Sequence, residues 1–437
     1  MGSEIISGDN LLLNALKRII RTDNPMVNTK YKIYLLINGS TRIDPVHIVT
    51  VDILRDYNAN VTDHMVVQAS FSMTDIVTKI YPNKDKLEIV VTVGNFNGVT
   101  TTRYKAMVLT SLEGIEGTVL SNTSTDVLDK MPLRYIDIQC ITPVFEALRT
   151  KPIYGVFANT NVGSLMGAVV SNALTEIKLS GFSAGDIGIN ITKPDNDTKF
   201  KQIIVPENTM VLDLPSYLQE TDYGVYNGAV GTYIQVYNGK PYVFIYPLYG
   251  NTWFNKTTKK LIVYNSVTKR YDDVRQTYLV DGDTINIIAT SNTKVLPIGN
   301  NNIKGSGYRA GTPYQLMNRN FTIDNGNITV NPKRTSVNEA HNINTDGTKL
   351  IRMIGNTSNL FPQRSRVLRE ACDLVQLQWN FCDMGLIYPG MPVCFVTEDA
   401  STGTTRKKIG VVQSTYEGYN EADKNTAGII NLMVTDI

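Results

Sequence analysis

His64-Met65-Val66-Val67-Gln68-Ala69-Ser70-Phe71-Ser72 sets Met65, Val67, Ala69 and Phe71 against His64, Gln68, Ser70 and Ser72. A period of two sends alternate side chains to opposite faces of an extended backbone, so the stretch predicts a strand with one buried and one wet face. The pattern recurs outward on both sides. His47–Leu54 alternates, and Leu87, Ile89, Val91 and Val93 alternate with Glu88 and Thr92. Tyr31–Asn38 runs into Asn38-Gly39, the strongest short hairpin signal. Thr74-Asp75 opens a brief helix that stops near Tyr81-Pro82-Asn83, because the residue before a proline is pushed out of helical space. Tyr104–Ser111 and Leu133–Ile141 complete five or six antiparallel strands, for which a small barrel or sandwich is the natural closure because it removes exposed edges.

Beyond this unit the period changes. At the start, Leu12, Leu16, Ile19 and Ile20 share one face of a helix over residues 9–21, capped by Asp9 or Asn10, which docks on its own domain or on a neighbouring subunit. Residues 142–290 read as an α+β insert. It holds a short helix at Pro143–Arg149, a longer one capped by Thr160 or Asn161 with Val162, Leu165, Met166, Val169, Ala173, Leu174 and Ile177 as its stripe, and one capped by Asp213 with Pro215 in its first turn. A hairpin follows, Gly231–Tyr237 and Pro241–Leu248 around Asn238-Gly239, with further strands at Lys260–Asn265 and Thr284–Thr290.

Residues 291–364 are rich in Asn, Gly, Thr and Lys and read as loop ordered by neighbours. Residues 365–437 close the chain with a second all-β unit. In Leu374–Cys382, Val375, Leu377, Trp379 and Phe381 face one way; Gln376, Gln378 and Asn380 face the other and are the candidate subunit-interface or channel-facing residues. Pro389-Gly390 turns the chain before Met391–Thr397, Lys408–Tyr416 and Gly428–Asp436. The fold class is thus β-rich α+β: an arm over 1–30, an antiparallel β-barrel over 31–141, the insert over 142–290, the loop region over 291–364, and a second barrel over 365–437.

At 437 residues the chain is long enough for several packed units, and Tyr (23) outnumbers Phe (12) and Trp (2), a balance suited to strands with polar contact surfaces. A formal charge of +2 gives no reason to expect strong attraction to nucleic acid or anionic lipid. Neither a signal peptide nor a membrane span is evident, which points to synthesis in the cytoplasm without membrane insertion. Cys140, Cys372, Cys382 and Cys394 are too scattered for a disulfide framework or a zinc site and read as buried apolar residues.

Sites for chemistry are scarce. Gly181-Phe182-Ser183-Ala184-Gly185 matches G-x-S-x-G, with His341 downstream, but lacks the strand-to-helix frame of a nucleophile elbow and reads as a turn. Gly305–Gly311 meets neither phosphate-loop spacing. Asp281-Gly282-Asp283 runs at once into Ile285 and Ile287, a hairpin turn rather than a calcium loop. With three histidines and no carboxylate pair in a helical frame, no acid/base constellation stands out. The expectation is a protein that is not an enzyme and needs no cofactor.

The middle of the chain carries a resemblance. Ile204-Val205-Pro206-Glu207-Asn208-Thr209, then Leu212-Asp213-Leu214-Pro215-Ser216-Tyr217-Leu218-Gln219, then Tyr223-Gly224-Val225-Tyr226 and Val243-Phe244-Ile245-Tyr246-Pro247-Leu248-Tyr249 resemble the signature region of central baseplate hub proteins of contractile-tailed phages, T-even-like and Mu-like hubs and late-control proteins among them. Ile37-Asn38-Gly39 with Arg42–Val46 and Arg55-Asp56-Tyr57 looks like the hub's opening hairpin, and Tyr388-Pro389-Gly390-Met391-Pro392-Val393 like the turn of its closing domain. The likeness spans roughly residues 30–437. It implies a structural virion protein of the tail baseplate: a homotrimeric ring of paired tube-like barrels that adapts a hexameric tail tube to a trimeric spike. Its implied partners are the tail tube protein, the central spike protein and other baseplate proteins, with DNA passing transiently through the channel. A tail-tube or tube-adaptor subunit is the alternative; a cell-envelope hydrolase, resting on Gly181–Gly185, is the remote one.

Overall fold

Asn38-Gly39 and Asn238-Gly239 both turn with positive φ at each residue, 50° and 69° in the first pair and 52° and 76° in the second. Two successive left-handed residues match the twist of flanking strands, so each pair folds its neighbours into a hairpin as the sequence predicts. The computed structural model of the chain describes residues 9–21, 29–95, 98–110, 133–177, 186–250, 254, 259–265, 277–297, 321–324, 327–330, 336–338, 343–344, 361–362, 365, 368–369, 372–398, 404–421 and 425–436. Gly181–Gly185, Gly305–Gly311, His341 and most of the 291–364 region lie outside them.

The first unit holds β1 (Lys30–Ile37), β2 (Thr41–Ile43), β3 (His47–Asp56), β4 (His64–Phe71), β5 (Leu87–Asn95), β6 (Gly98–Val108) and β7 (Arg134–Ile141), in the spatial order β3-β4-β7-β6-β5-β1-β2. Every pairing here is antiparallel. Val51, Val67, Ile89 and Ile138 fill its core, together with Ile76 and Ile80 from the helical turns between β4 and β5. Those turns begin where expected: the Ser72 hydroxyl accepts from the Asp75 amide at 3.1 Å.

The helices in chain order are the N-terminal α1 (Asp9–Arg21) and, from the insert, α2 (Pro143–Arg149), α3 (Val162–Glu176) and α4 (Leu214–Glu220). Asn161 caps α3, its Oδ1 accepting from the Ser164 amide at 2.8 Å. Asp213 stands at the start of α4 without a side-chain capping bond. Strands β8 (Pro152–Thr160) and β10 (Phe200–Met210) form an antiparallel ribbon; β9 (Gly188–Ile191) runs parallel to β12 (Lys240–Pro247), which pairs with β11 (Val230–Tyr237). The β11–β12 hairpin is buried on both sides. Ile234, Val243 and Ile245 enter the core of the insert, while Tyr233, Phe244 and Tyr246 enter that of the closing unit, which explains its near-continuous apolar sequence.

The closing unit draws on β13 (Lys260–Asn265), β14 (Tyr278–Asp281), β15 (Thr284–Ile288), β16 (Ser291–Pro297), β21 (Asp373–Asn380), β22 (Pro392–Glu398), β23 (Thr405–Asn420) and β24 (Asn425–Asp436). Short pairs β17 (Phe321–Asp324) with β18 (Asn327–Val330), and β19 (Ser336–Asn338) with β20 (Ile343–Asn344), stand apart from it. Trp379, Val393, Leu432 and Ile387 form its core. Helix α1 lies on the same chain, seating Leu16 and Ile19 against Tyr264, Leu279, Ile288 and Val396 of this unit.

Two expectations are corrected. The units are not both antiparallel barrels: β13 runs parallel to β15 and to β22, since the chain returns from β13 to β15 by way of β14. Nor is either sheet seen to close on itself among the described residues. The edge of the first unit is instead covered by the second, because β3 pairs antiparallel with β23 and joins both units into one sheet. An edge strand needs a partner for its amides, and another unit of the same chain supplies one as well as closure does.

Candidate assembly surface and the joint behind it

Strand β23 makes this junction by changing partner along its length. Thr405–Val411 pairs with β22, and Ser414–Asn420 pairs with β3. Between them the register against β24 shifts at Val412/Ser414, and the Gln413 carbonyl accepts from the Tyr57 amide at 3.0 Å. A bulge bends a strand and increases its twist, which lets one strand serve two diverging partners.

The register places Gln376, Gln378 and Asn380 on one face, as their alternation predicts, with Val375, Leu377 and Trp379 buried on the other. Phe381 departs from the pattern: its φ of 54° ends the strand. Each of the three polar residues begins a row across the joined sheet. Gln376 is opposite Asn431, then Ser414, then Asp56; Gln378 is opposite Ile429, then Tyr416, then Leu54, then His64. Asn380 is opposite Ala427, then Gly418, Asp52, Val66 and Gln139. Leu54, Tyr416 and Ile429 are 40%, 37% and 36% exposed, an apolar run across three strands. The polar groups hold one another: Gln378 Nε2 donates to Asn380 Oδ1 at 2.9 Å, Asn431 Nδ2 to Ser414 Oγ at 2.8 Å, and Tyr416 Oη to Asp52 Oδ1 at 2.6 Å. That last bond to a carboxylate, with burial adding to it, raises the Tyr416 pKa to about 12. From β21 across β24, β23, β3, β4 and β7 these rows contain no lysine or arginine; on the other side of β21, Lys294 of β16 is opposite Gln376. The sequence could not assemble them, since they mix residues from both ends of the chain.

Behind this face lies a buried ionic joint that sequence reasoning missed. Arg55 Nε stands 3.2 Å from Asp63 Oδ2, and Arg55 Nη1 stands 4.0 Å from Glu417 Oε2, with all three side chains more than nine-tenths buried. Tyr31 donates to Glu417 Oε1 at 3.1 Å. Burial works against the Arg55 charge, yet Asp63, Tyr57 and Glu417 around it leave its pKa above the usual value. The available signal was the period of β23, in which Glu417 falls on the buried side between Thr415 and Tyr419.

Much of the 204–249 signature is built into the core and its turns. Leu214 and Leu218 are fully buried. The Gln219 amide staples the following turn: its Oε1 accepts from the Val225 and Tyr226 amides at 3.0 and 2.9 Å, and its Nε2 donates to the Tyr226 carbonyl at 2.9 Å. Tyr217 Oη donates to the Ile204 carbonyl and the Ile204 amide donates to Tyr223 Oη, both at 2.8 Å, so these tyrosines satisfy the side of β10 turned away from β8. Tyr246 Oη donates to the Tyr57 carbonyl at 2.7 Å, and Gly390, with φ +70°, passes so close to the Tyr246 ring that a Cβ there would stand 2.6 Å from it. The Tyr388-Pro389-Gly390 turn therefore packs on the hairpin of the signature.

Among the described residues no group of three or more His, Cys, Asp or Glu side chains could hold a metal ion, and no helix is long and apolar enough to cross a membrane. Asp281-Gly282-Asp283 is the β14–β15 turn, with Gly282 at φ +57°.

No family model matches the chain, and no curated protein matches it. Among solved structures it is similar to a tail protein from Neisseria meningitidis MC58, at 10% identity over 92% of this chain and 96% of that one with a TM-score of 0.47. It is similar to the 43 kDa tail protein of prophage MuSo2 from Shewanella oneidensis, at 11% identity over 92% and 97% with a TM-score of 0.46. It is also similar to an E. coli component of the type VI secretion system, described as resembling the T4 bacteriophage tail proteins gp27 and gp5, at 8% identity over 92% and 76% with a TM-score of 0.44.

Proposed function

We propose that the chain is a structural subunit of the hub ring at the centre of a contractile phage-tail baseplate, three copies of which adapt a hexameric tail tube to a trimeric spike and surround the DNA channel. The observation that carries this reading is the β3–β23 pairing, which fuses two β units of one chain into a continuous sheet. A subunit with two such units in series presents six units from three copies, the match a threefold spike and a sixfold tube require.

The strands β16-β21-β24-β23-β3-β4-β7-β6 form an unbroken run of neighbours. Three copies of that run, at about 4.8 Å per strand, have a perimeter of roughly 115 Å and a backbone width of about 37 Å, enough for a duplex once side chains project inward. Strand tilt would widen it. The face with Gln376, Gln378 and Asn380 is assigned to the channel or to the contact between subunits. Its rows carry no lysine or arginine from β21 to β7, with Lys294 beyond them on β16, and so sparse a positive charge suits a duct that must release phosphates rather than hold them.

In this reading the protein acts in the virion tail, after assembly in the host cytoplasm, beside the tail tube protein, the spike protein and other baseplate proteins, and performs no catalysis. Imaging of the purified particle tests it: rings with threefold symmetry support the hub, whereas sixfold rings favour a tube or tube-adaptor subunit.

A further inference from the structure

Glu417 sits where β1, β3, the Asp63 loop and the turn after β21 meet, at the edge of a cavity of about 60 Å³. Tyr31 faces it from β1, Arg55 from β3, Asp63 from the loop before β4, Cys382 and Asp383 from the turn after β21, and Tyr104 lines the same cavity from β6. Asp383 is itself buried and accepts from the Gly385 amide at 3.1 Å. Two buried carboxyl groups, those of Asp63 and Glu417, thus share one guanidinium, and Asp383 acts on Glu417 from the other side. One cation cannot fully balance the two carboxylates that share it in a place water scarcely reaches, so the joint favours a bound proton. The distances say which group takes it: Arg55 is nearer Asp63, at 3.2 Å, than Glu417, at 4.0 Å.

We propose that the junction of the two β units is a proton-controlled latch, tight while Glu417 is protonated and slackened when it ionises. A neutral Glu417 accepts the Tyr31 hydroxyl bond and leaves Arg55 to Asp63. Losing the proton leaves a buried charge that Asp383 and Asp63 repel and that Arg55, nearer Asp63, only partly offsets; it draws water into the cavity, loosening β23 from β1 while its main-chain bonds to β3 remain. The environment agrees with the geometry. Burial, opposed by Arg55 and reinforced by Asp383, raises the Glu417 pKa from 4.5 to about 7.

The sign follows from linkage. Between pH 4.5 and about 7 the folded chain keeps a proton that the unfolded chain has released, so stability falls as pH rises through that window and stays low above it. For one proton the unfolding constant rises by up to about tenfold per pH unit there.

Urea unfolding of the full chain and of Glu417→Gln across this window is the test, since the amide keeps the shape and the acceptor for Tyr31. We expect the variant to match the parent at low pH and to gain on it steadily as pH rises; parallel curves would overturn the proposal. Carboxyl ¹³C NMR of the glutamate-labelled parent chain is the second measurement and needs no variant to fold. A glutamate carboxyl titrating near pH 7 is expected, and all glutamates titrating in the ordinary range would contradict it.

Discussion

Tyr246 and Tyr57 are bound to each other twice: the Tyr246 hydroxyl donates to the Tyr57 carbonyl at 2.7 Å, and the two rings meet edge to face with centroids 6.5 Å apart. Tyr246 ends the hairpin of the insert, and Tyr57 follows the last residue of β3, so the pair locks the insert to the first unit inside the core of the closing one. Tyr246→Phe removes the donor and leaves a buried carbonyl without it, which costs about 1 kcal/mol. Tyr246→Ala also opens a cavity and costs about 3–5 kcal/mol. Denaturant midpoints of the two variants measure both.

Gln219 is the one polar side chain of the signature helix that is fully committed inward, holding two amides and a carbonyl. Gln219→Leu leaves those three backbone groups to find other partners, and we expect a loss of about 2–4 kcal/mol, more than its volume change alone would give. Hydrogen exchange should report first at Val225 and Tyr226, the amides released.

All four cysteines are buried, and burial raises each thiol pKa, to about 12 for Cys372 and well above the usual thiol value for Cys382. A thiol kept protonated and covered is a poor nucleophile. Native protein should therefore react with a thiol reagent far more slowly than urea-unfolded protein, with all four thiols released together on unfolding.

Leu54, Tyr416 and Ile429 line up across three strands, and none of the described residues covers them fully. Charging a solvent-facing position leaves the monomer within about 0.5 kcal/mol. Ile429→Asp is accordingly expected to keep its melting temperature. If this face meets a neighbour, light scattering should show the assembly weakened; if it lines the channel, the assembly should survive.

Much of the fold is legible in the sequence because local rules decide it. Met65, Val67 and Phe71 alternate and are buried, Asn38-Gly39 and Asn238-Gly239 turn as such pairs do, and Asn161 caps its helix. What the sequence hides is non-local. Nothing near Leu54 announces that its neighbour will be Tyr416, because antiparallel pairing depends on where two units dock and not on the pattern of either strand. The parallel β13–β22 pair is hidden likewise, since its strands read as apolar runs whatever their direction. The ionic joint escaped for the same reason: Arg55, Asp63 and Glu417 are ordinary charged residues until the sheet brings them together. Gln376, Gln378 and Asn380 were legible as a face; the rows they begin were not.

The most direct test of the assembly reading is the rotational symmetry of the purified particle, seen by electron microscopy and checked by native mass. The account predicts threefold rings, each of three chains, with a central opening. A chain that stays monomeric both alone and with tube and spike proteins, or one that forms sixfold rings, would contradict it.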